Sequence, residues 1–393
     1  MAPAAAVQEK VVWKGRPGFR LSNRIVELVA LTGGGHIAKF GFAPDSGFPE
    51  INALWEAPWP TMDPQDYQAS HAAQYGPEPA GSFLASFTGH ALCLDYFGAP
   101  SVEELKNGMR LHGEAAGARW EPVRTSENVP AIALETHLPA AGLRFRREVK
   151  LGQEEAVAYF HETIYNQRAE DHYFHWVQHV TFGLPLLAPG ESHVALSSSR
   201  AYTWPYGYEG KALLEDARDF EWPHAPGLQG TTCDISRPFA EAGKGFVVAA
   251  LTDVAREPAF LAVLNWRLGI VAGYCFRRRN FPWITVWEEN CARTEPPWNG
   301  GTQARGLEFG TTPLPLGKEE VFRSGPLFGT PTFRRLGAHS ETSARYAAFL
   351  AVAPLSWRSI ADVRLQPDAI IVAGGNDEQV RVRAVGIQEF VTA

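Results

Sequence analysis

The sequence predicts a mainly all-β protein: a large antiparallel β-sandwich with a few short helices. Three observations favour this class: segments of strand-like alternation, short runs that are continuously apolar, and frequent turn residues, with 37 Gly and 29 Pro among 393 residues. Strand patterns continue close to the C-terminus, and neither a linker nor a repeat of fixed period interrupts them. We therefore expect residues 1–393 to form a single domain.

The predicted strands follow from two kinds of local pattern. Residues 143–151 alternate between mainly apolar and charged side chains, which is typical of a strand that is buried on one face. Residues 245–251, 260–264, 283–287 and 346–352 are apolar almost throughout, which indicates central strands buried on both faces. Together these segments predict two stacked and curved sheets.

Helical signals are few. Ser101 and Glu104 have the spacing of a capping box, and Asn107 with Gly108 predicts the end of the short helix that they start. Residues 360–365 predict one more helical turn. The helices are therefore expected to be minor additions to the sheets.

Charge and hydropathy argue against several classes of partner. The formal net charge is −7 and the only basic cluster is 277–279, so nucleic acid is not expected as a partner. No apolar run approaches the length of a membrane span, and residues 1–10 lack the features of a secretory signal. These patterns predict a cytoplasmic protein, either a monomer or a homodimer, that does not bind membranes.

The segment 175–182 presents two histidines on one face of a predicted strand. Side chains alternate along a strand, so His175, His179 and Thr181 share a face, and the opposite face, which carries Trp176 and Phe182, is the more apolar. We expect the histidine face to line a cleft. The alternative for each histidine is an exposed position or a hydrogen-bonded one in the core.

Two further candidates lie far from this strand in sequence. His112 follows the short predicted helix among Gly108, Gly113 and Gly117, which would allow the backbone to turn tightly beside a ligand. Glu308 lies in an apolar strand, where a carboxylate is costly unless it is paired or neutral. The alternatives are an exposed histidine at a Gly-rich corner and an ion pair with a neighbouring arginine.

Several short segments together resemble a known family. The pattern Asn-Gly-x-x-Leu-His-Gly-x-x-x-Gly at 107–117 resembles a motif of the aldose 1-epimerases, or galactose mutarotases. Residues 178–182 are similar to their Asn-His segment, with Gln178 in place of Asn, and 306–308 resembles their Gly-Leu-Glu. Residues 32–38 are similar to the first hairpin of that family. The resemblance implies a galactose mutarotase-like supersandwich, in a divergent branch.

The resemblance also implies an activity, the interconversion of the α and β anomers of a sugar by acid/base catalysis. Glu308 would accept the proton of the anomeric hydroxyl, His179 would donate a proton to the ring oxygen, and His112 would hydrogen-bond the sugar. Only protons move, so no cofactor is expected. Further candidates for contacts with the substrate are Arg110, His175, Trp204, Trp287 and Glu289.

Two other functions remain open from the sequence. A non-catalytic carbohydrate-binding domain could use the same fold, because fold alone does not determine function. His172, His175 and His179 with Glu308 could instead form a two-histidine, one-carboxylate metal site. We favour a site without metal, because a strand would turn His172 away from His175. A polysaccharide hydrolase is disfavoured, since the adjacent Glu288 and Glu289 point to opposite faces of a strand.

Overall fold

The computed structural model describes residues 6–125 and 129–393, so the first five residues, part of the segment on which the cytoplasmic prediction depends, lie outside it. Within these ranges the strands are β1 (Val7–Trp13), β2 (Arg16–Ser22), β3 (Val26–Leu31), β4 (Ile37–Phe42), β5 (His90–Asp95), β6 (Glu121–Pro122), β7 (Ala131–Leu138), β8 (Leu143–Leu151), β9 (Val157–Asn166), β10 (His172–Gly183), β11 (Ser192–Leu196), β12 (Ser198–Thr203), β13 (Asp219–Glu221), β14 (His224–Pro226), β15 (Thr232–Asp234), β16 (Lys244–Thr252), β17 (Ala259–Asn265), β18 (Ile270–Phe276), β19 (Trp283–Asn290), β20 (Gln303–Gly310), β21 (Arg334–Leu336), β22 (Glu341–Val352), β23 (Ile360–Gln366), β24 (Ala369–Gly374) and β25 (Gln379–Arg383). The α-helices are α1 (Ala72–Tyr75), α2 (Ala80–Ser86), α3 (Val102–Lys106), α4 (Lys318–Ser324) and α5 (Ile387–Thr392). No helix of the described ranges is both long enough and apolar enough to cross a bilayer.

Two large antiparallel sheets form the body of the protein, which confirms the predicted fold class. The larger sheet has 12 strands, in the order β1-β2-β3-β4-β5-β10-β20-β19-β16-β12-β13, with β21 paired to β10. The smaller sheet has eight strands, in the order β11-β17-β18-β22-β9-β8-β7-β6. The helix predicted after Ser101 is α3, and its capping box is present.

The main hydrophobic core lies between the two sheets. Trp176, Val180 and Phe182 of β10 point into it and meet side chains of the smaller sheet such as Phe145. The alternation predicted for this strand is therefore confirmed. It leaves His179 on the opposite, outer face of the larger sheet.

The C-terminal segment covers the outer face of the smaller sheet. Strands β23, β24 and β25 form a separate sheet, and with α5 they bury a second core that includes Ile360, Val363 and Trp357. The helical turn predicted for 360–365 is wrong, because these residues form β23. An irregularity in register between Ile360 and Asp362 puts two apolar residues three apart on one face, which imitates helical spacing.

The outer face of the larger sheet is covered by long connections instead. Residues between β4 and β5 carry α1 and α2 and supply Trp55, Trp59 and Phe87 to a third, aromatic-rich core on this face. Backbone hydrogen bonds fix this layer to β10: the Trp55 amide donates to the Thr181 carbonyl at 2.8 Å, and the Thr181 amide donates to Gly89 at 3.0 Å. The candidate site lies within this third core.

Candidate active site

Two adjacent strands and one loop bring the three predicted catalytic side chains together. The antiparallel register of β10 and β20 places His179 opposite Glu308, and His179 Nε2 lies 3.4 Å from Glu308 Oε1. The loop after α3 places the ring of His112 with its centre 5.4 Å from that of His179. His112 thus shares one small space with two residues that follow it by 67 and 196 positions in the sequence.

A glycine makes room for the carboxylate. Gly306 lies two residues before Glu308 on the same face of β20, between Thr181 of β10 and Trp287 of β19. A Cβ at position 306 would lie only 3.0 Å from Glu308 Cδ and closer still to Oε1. The glycine of the Gly-Leu-Glu segment therefore has a steric role.

His112 is held by its backbone and by its ring. It adopts a left-handed conformation with φ of 61°, which is uncommon for a residue with a side chain. Its Nδ1 accepts a hydrogen bond from the Gly98 amide at 3.2 Å, and its amide donates to the Gly98 carbonyl at 3.0 Å. With Nδ1 as an acceptor, a neutral His112 carries its proton on Nε2 and can donate it to a ligand.

Burial changes the protonation of the central pair. The pKa of His179 falls to about 3 through loss of hydration, and the pKa of Glu308 rises well above its usual value for the same reason. The rings of Phe87 and Trp287, centred 5.0 and 6.1 Å from that of His179, help to exclude water. Burial therefore favours the uncharged form of each side chain, with the proton of the pair on Glu308.

The three residues open onto a cavity of about 630 Å³, which is of the size that small ligands occupy in proteins. Aromatic residues form a large part of its wall and polar residues are fewer, so a ligand would meet ring faces and a few hydrogen-bonding groups. The aromatic lining consists of Tyr75, Phe83, Phe87, Phe97, Trp204, Tyr206, Tyr208, Trp287 and Trp298. The polar lining includes His112, His179, Glu209, Thr285, Arg293, Glu295 and Glu308.

Solved structures with the same arrangement of sheets include a protein from Klebsiella pneumoniae assigned provisionally as an aldose 1-epimerase. It is 15% identical, with a TM-score of 0.61, and the match covers 90% of this chain and 88% of that one. A galactose mutarotase-like protein from Clostridium acetobutylicum (11% identity, TM-score 0.54, coverage 88% and 99%) and a galactose mutarotase related enzyme from Lactobacillus acidophilus (13%, 0.52, 88% and 100%) are similar too.

The chain has the galactose mutarotase-like fold. The amino-acid sequence itself matches no protein-family model and no curated protein sequence. The low identities agree with a divergent branch of this fold. The structural matches extend the resemblance from short motifs to most of the chain, and what they show is a likeness of fold.

Two of the predicted substrate contacts line the cavity of this mutarotase-like fold, and three do not. Trp204 and Trp287 are in its wall. Arg110 is exposed and lines a separate groove with Tyr67. His175 is completely buried beside Asp95, and neither of its ring nitrogens has a hydrogen-bond partner.

Glu289 lies behind the wall and organises it. Its Oε2 accepts a hydrogen bond from Tyr208 at 2.8 Å and lies 3.5 Å from Arg293, and its Oε1 accepts from the Arg293 amide at 2.8 Å. Tyr208 in turn accepts a hydrogen bond from Trp287 Nε1 at 2.8 Å. Glu289 itself does not line the cavity. It holds Tyr208 and Arg293, which do.

Tyr208 and Arg293 were not among the residues predicted from the sequence. Both lie in loops, and nothing in the local pattern indicates that the loops fold over β19. The guanidinium of Arg293 lies 5.0 Å from the ring centre of Tyr208 and 5.2 Å from that of Trp298. The only signal for this part of the site was the segment 287–298, which has a tryptophan at each end and one arginine between them.

The described ranges contain no group of three or more His, Cys, Asp or Glu side chains arranged to hold a metal ion. His172, which the metal hypothesis included, binds Asp95 through Nε2 at 2.5 Å. Lys318 donates to the same carboxylate oxygen at 2.6 Å. The residues of the metal hypothesis therefore belong to two separate groups: His172 pairs with Asp95 and Lys318, whereas His179 lies beside Glu308.

Proposed function

We propose that this protein is an aldose 1-epimerase-like isomerase that interconverts the anomers of a sugar. One observation carries the proposal: a carboxyl and an imidazole lie 3.4 Å apart at the inner end of an aromatic cavity, beside a second imidazole. Anomer exchange needs one group to take a proton from the anomeric hydroxyl and another to give a proton to the ring oxygen. Glu308 and His179 supply these two groups.

The two protonation states of the pair correspond to the two ends of the ring-opening step. Transfer of the Glu308 proton to His179 gives a carboxylate and an imidazolium. The carboxylate then accepts the proton of the anomeric hydroxyl while the imidazolium protonates the ring oxygen, and the bond between the anomeric carbon and the ring oxygen breaks. The product is an open-chain aldehyde between a neutral Glu308 and a neutral His179.

Ring closure reverses these transfers. After rotation about the bond to the aldehyde carbon, the hydroxyl attacks the other face of the carbonyl, His179 takes its proton and Glu308 protonates the carbonyl oxygen. Burial favours the neutral pair, so it favours the state that faces the aldehyde. The Nε2 proton of His112 would hydrogen-bond the carbonyl or a neighbouring hydroxyl and hold the sugar in place.

The aromatic wall supports a sugar as the ligand. The C–H faces of a pyranose are apolar while its edge carries hydroxyls, and Trp287 with Phe87 supplies flat apolar surfaces next to His179. The neutral or paired polar groups of the lining offer hydrogen bonds to the hydroxyls. Among the described residues of the wall, Glu295 can also accept hydrogen bonds, and the Thr285 hydroxyl, which donates to the Pro313 carbonyl at 2.7 Å, can still accept one.

The test is the rate at which freshly dissolved α-D-glucose and α-D-galactose approach anomeric equilibrium, followed by polarimetry or NMR above the spontaneous rate. We expect His179→Asn and Glu308→Gln each to lower the enzyme-dependent rate by about 10²–10⁴-fold. His137→Asn and Glu121→Gln change exposed residues of the same types and should have no effect. Full activity in either site variant would contradict the role of that residue.

A carbohydrate-binding protein without catalysis is the second candidate. It is favoured by the burial of the pair, which raises the pKa of the base and lowers the pKa of the acid, against the ion pair that catalysis needs. Calorimetry with the same sugars separates the two functions. Binding without any acceleration of anomer exchange would favour the binding protein.

A further inference from the structure

The cavity extends well beyond the catalytic pair. Its lining includes His179 of β10, Glu308 of β20, Trp287 of β19 and Val247 of β16, and it continues to Trp204, which directly follows β12. These five strands are consecutive neighbours in the larger sheet. At about 4.8 Å between neighbouring strands, the cavity crosses about 19 Å of sheet.

This length exceeds what one pyranose ring can span. A ring placed between Glu308 and His179 leaves the β16–β12 end of the cavity empty, and that end is aromatic. Trp204 and Tyr206 lie there with ring centres 5.5 Å apart and planes at 78°. Tyr206 is 61% exposed although it belongs to the cavity wall, so its ring is accessible to a ligand.

The backbone holds this aromatic pair at a fixed place. The Trp204 amide donates to the Val247 carbonyl of β16 at 2.9 Å, so the residue continues the pairing of β12 with β16. The hydroxyl of Tyr206 hydrogen-bonds Glu320 of α4. Both rings are therefore placed in advance, which lowers the entropic cost of stacking against a ligand.

The charges of the lining argue against an anionic ligand. Arg293 is the one cation among the described lining residues, and it already faces two carboxylates, with Glu289 at 3.5 Å and Glu209 at 3.7 Å. Glu295 adds a further carboxylate to the wall. A phosphate or uronate group would thus meet more negative than positive charge.

We propose that the substrate is the reducing end of a neutral di- or oligosaccharide, with its second ring stacked on Trp204 and Tyr206. This rests on the proposed function, because a free anomeric centre must lie at the Glu308 and His179 end. The glycosidic bond therefore leaves the reacting ring through a carbon other than the anomeric one. The second ring follows the cavity across β19 and β16 to the mouth.

Binding measured by calorimetry tests the second ring independently of catalysis. The probes are maltose, cellobiose and lactose, compared with glucose and galactose. We expect at least one disaccharide to bind about tenfold tighter than its component sugars, which corresponds to about 1.4 kcal/mol. Equal affinities for all disaccharides and monosaccharides, or no binding of any disaccharide, would overturn the proposal.

Variants then locate the second ring. Tyr206→Ala and Trp204→Ala should each lower the affinity for the disaccharide about tenfold and leave the affinity for the monosaccharide unchanged. Tyr206→Phe keeps the ring and loses only the contact with Glu320 that holds it in place, so it should lose much less of the disaccharide affinity than Tyr206→Ala does. Trp266→Ala, a partly exposed tryptophan outside the cavity, is the matched control. An equal loss for both sugars in the Trp204 and Tyr206 variants would refute the assignment.

The two proposals fail in different ways. If the disaccharide preference and its dependence on Trp204 are found but no sugar undergoes faster anomer exchange, the binding of a second ring is confirmed and the isomerase activity is contradicted. If glucose and galactose are converted as fast as any disaccharide and the variants change nothing, the isomerase stands and the second ring does not.

Discussion

Replacing Gly306 by alanine should inactivate the site through a single methyl group. The added Cβ would approach Glu308 Cδ to 3.0 Å and Cγ to 3.2 Å, and Oε1 more closely still. Ordinary van der Waals contact begins near 3.4 Å, so the carboxyl must move by about 1 Å or rotate away from His179. The present separation of 3.4 Å between Glu308 Oε1 and His179 Nε2 would be lost.

The expected effect on activity is much larger than that on stability. Misplacement of a reacting group by about 1 Å can cost about 10²-fold in rate, while one extra carbon in a packed site costs about 1–3 kcal/mol. We therefore expect kcat/KM for anomer exchange to fall about 100-fold in a protein that still folds. Polarimetry gives the rate, and urea denaturation with circular dichroism gives the stability.

Two further variants make this test specific. Gly317→Ala adds a Cβ that has only ordinary contacts, the nearest being Tyr96 Oη at 3.5 Å, and should leave activity unchanged. Gly306→Ala combined with Glu308→Asp shortens the crowded side chain, so the double variant should be less impaired than the product of the two single effects. A Gly306→Ala enzyme within threefold of wild-type kcat/KM would refute the steric argument.

Three other predictions concern the buried charges. Glu308 has a folded-state pKa raised above its unfolded value of 4.5, so its contribution to stability should fall by about 1.4 kcal/mol per pH unit as pH rises above 4.5, until the folded pKa is reached; the difference in unfolding free energy between the wild type and Glu308→Gln in urea titrations should show this slope. His179 has a pKa lowered from 6.5 to about 3, so its contribution should fall by a similar slope as pH drops from 6.5 towards 3 and oppose that of Glu308 where the two ranges overlap; the difference between the wild type and His179→Asn should show it. Glu289→Ala removes the acceptor of Tyr208 and of two backbone amides and should cost about 1–3 kcal/mol and raise KM for the sugar, whereas unchanged values would contradict its organising role.

The sequence was sufficient for the parts of the fold that depend on local periodicity. Alternation along β10 placed Trp176 in the core and His179 on the outer face, as the structure has them. The Ser101 capping box gave α3. The alternation of β23 was missed, because an irregular register disguised the strand as a helical turn.

Placement within the site could be predicted less well, because it depends on distance along a strand and on loop conformation. His175 shares a face with His179, but it lies four residues away, or about 13 Å at the rise of an antiparallel strand. Arg110 precedes His112 by two residues, but the Arg110 carbonyl accepts the Gly113 amide in a tight turn. Tyr208 is held at the cavity by Glu289 and Trp287, about 80 residues away in sequence, and Arg293 lies in a loop whose conformation Glu289 fixes.

The contrast between two neighbours on β10 explains why one polar residue supports the fold and the other suits chemistry. Gln178 faces the smaller sheet, where Glu162 accepts its amide at 2.6 Å and Arg147 donates to its oxygen at 3.1 Å. Each of these groups has buried partners, and such a network stabilises one arrangement of the two sheets.

His179 faces the other way and has fewer partners: its Nδ1 hydrogen-bonds Thr181 Oγ1 at 3.2 Å, and its Nε2 lies 3.4 Å from the carboxyl of Glu308. Both groups are desolvated and neither has a full set of hydrogen bonds, which destabilises the protein unless a ligand supplies them. Sugar hydroxyls at the inner end of the cavity can supply them. Under the proposed function, the stability that the protein loses by burying this pair would be regained when the sugar binds.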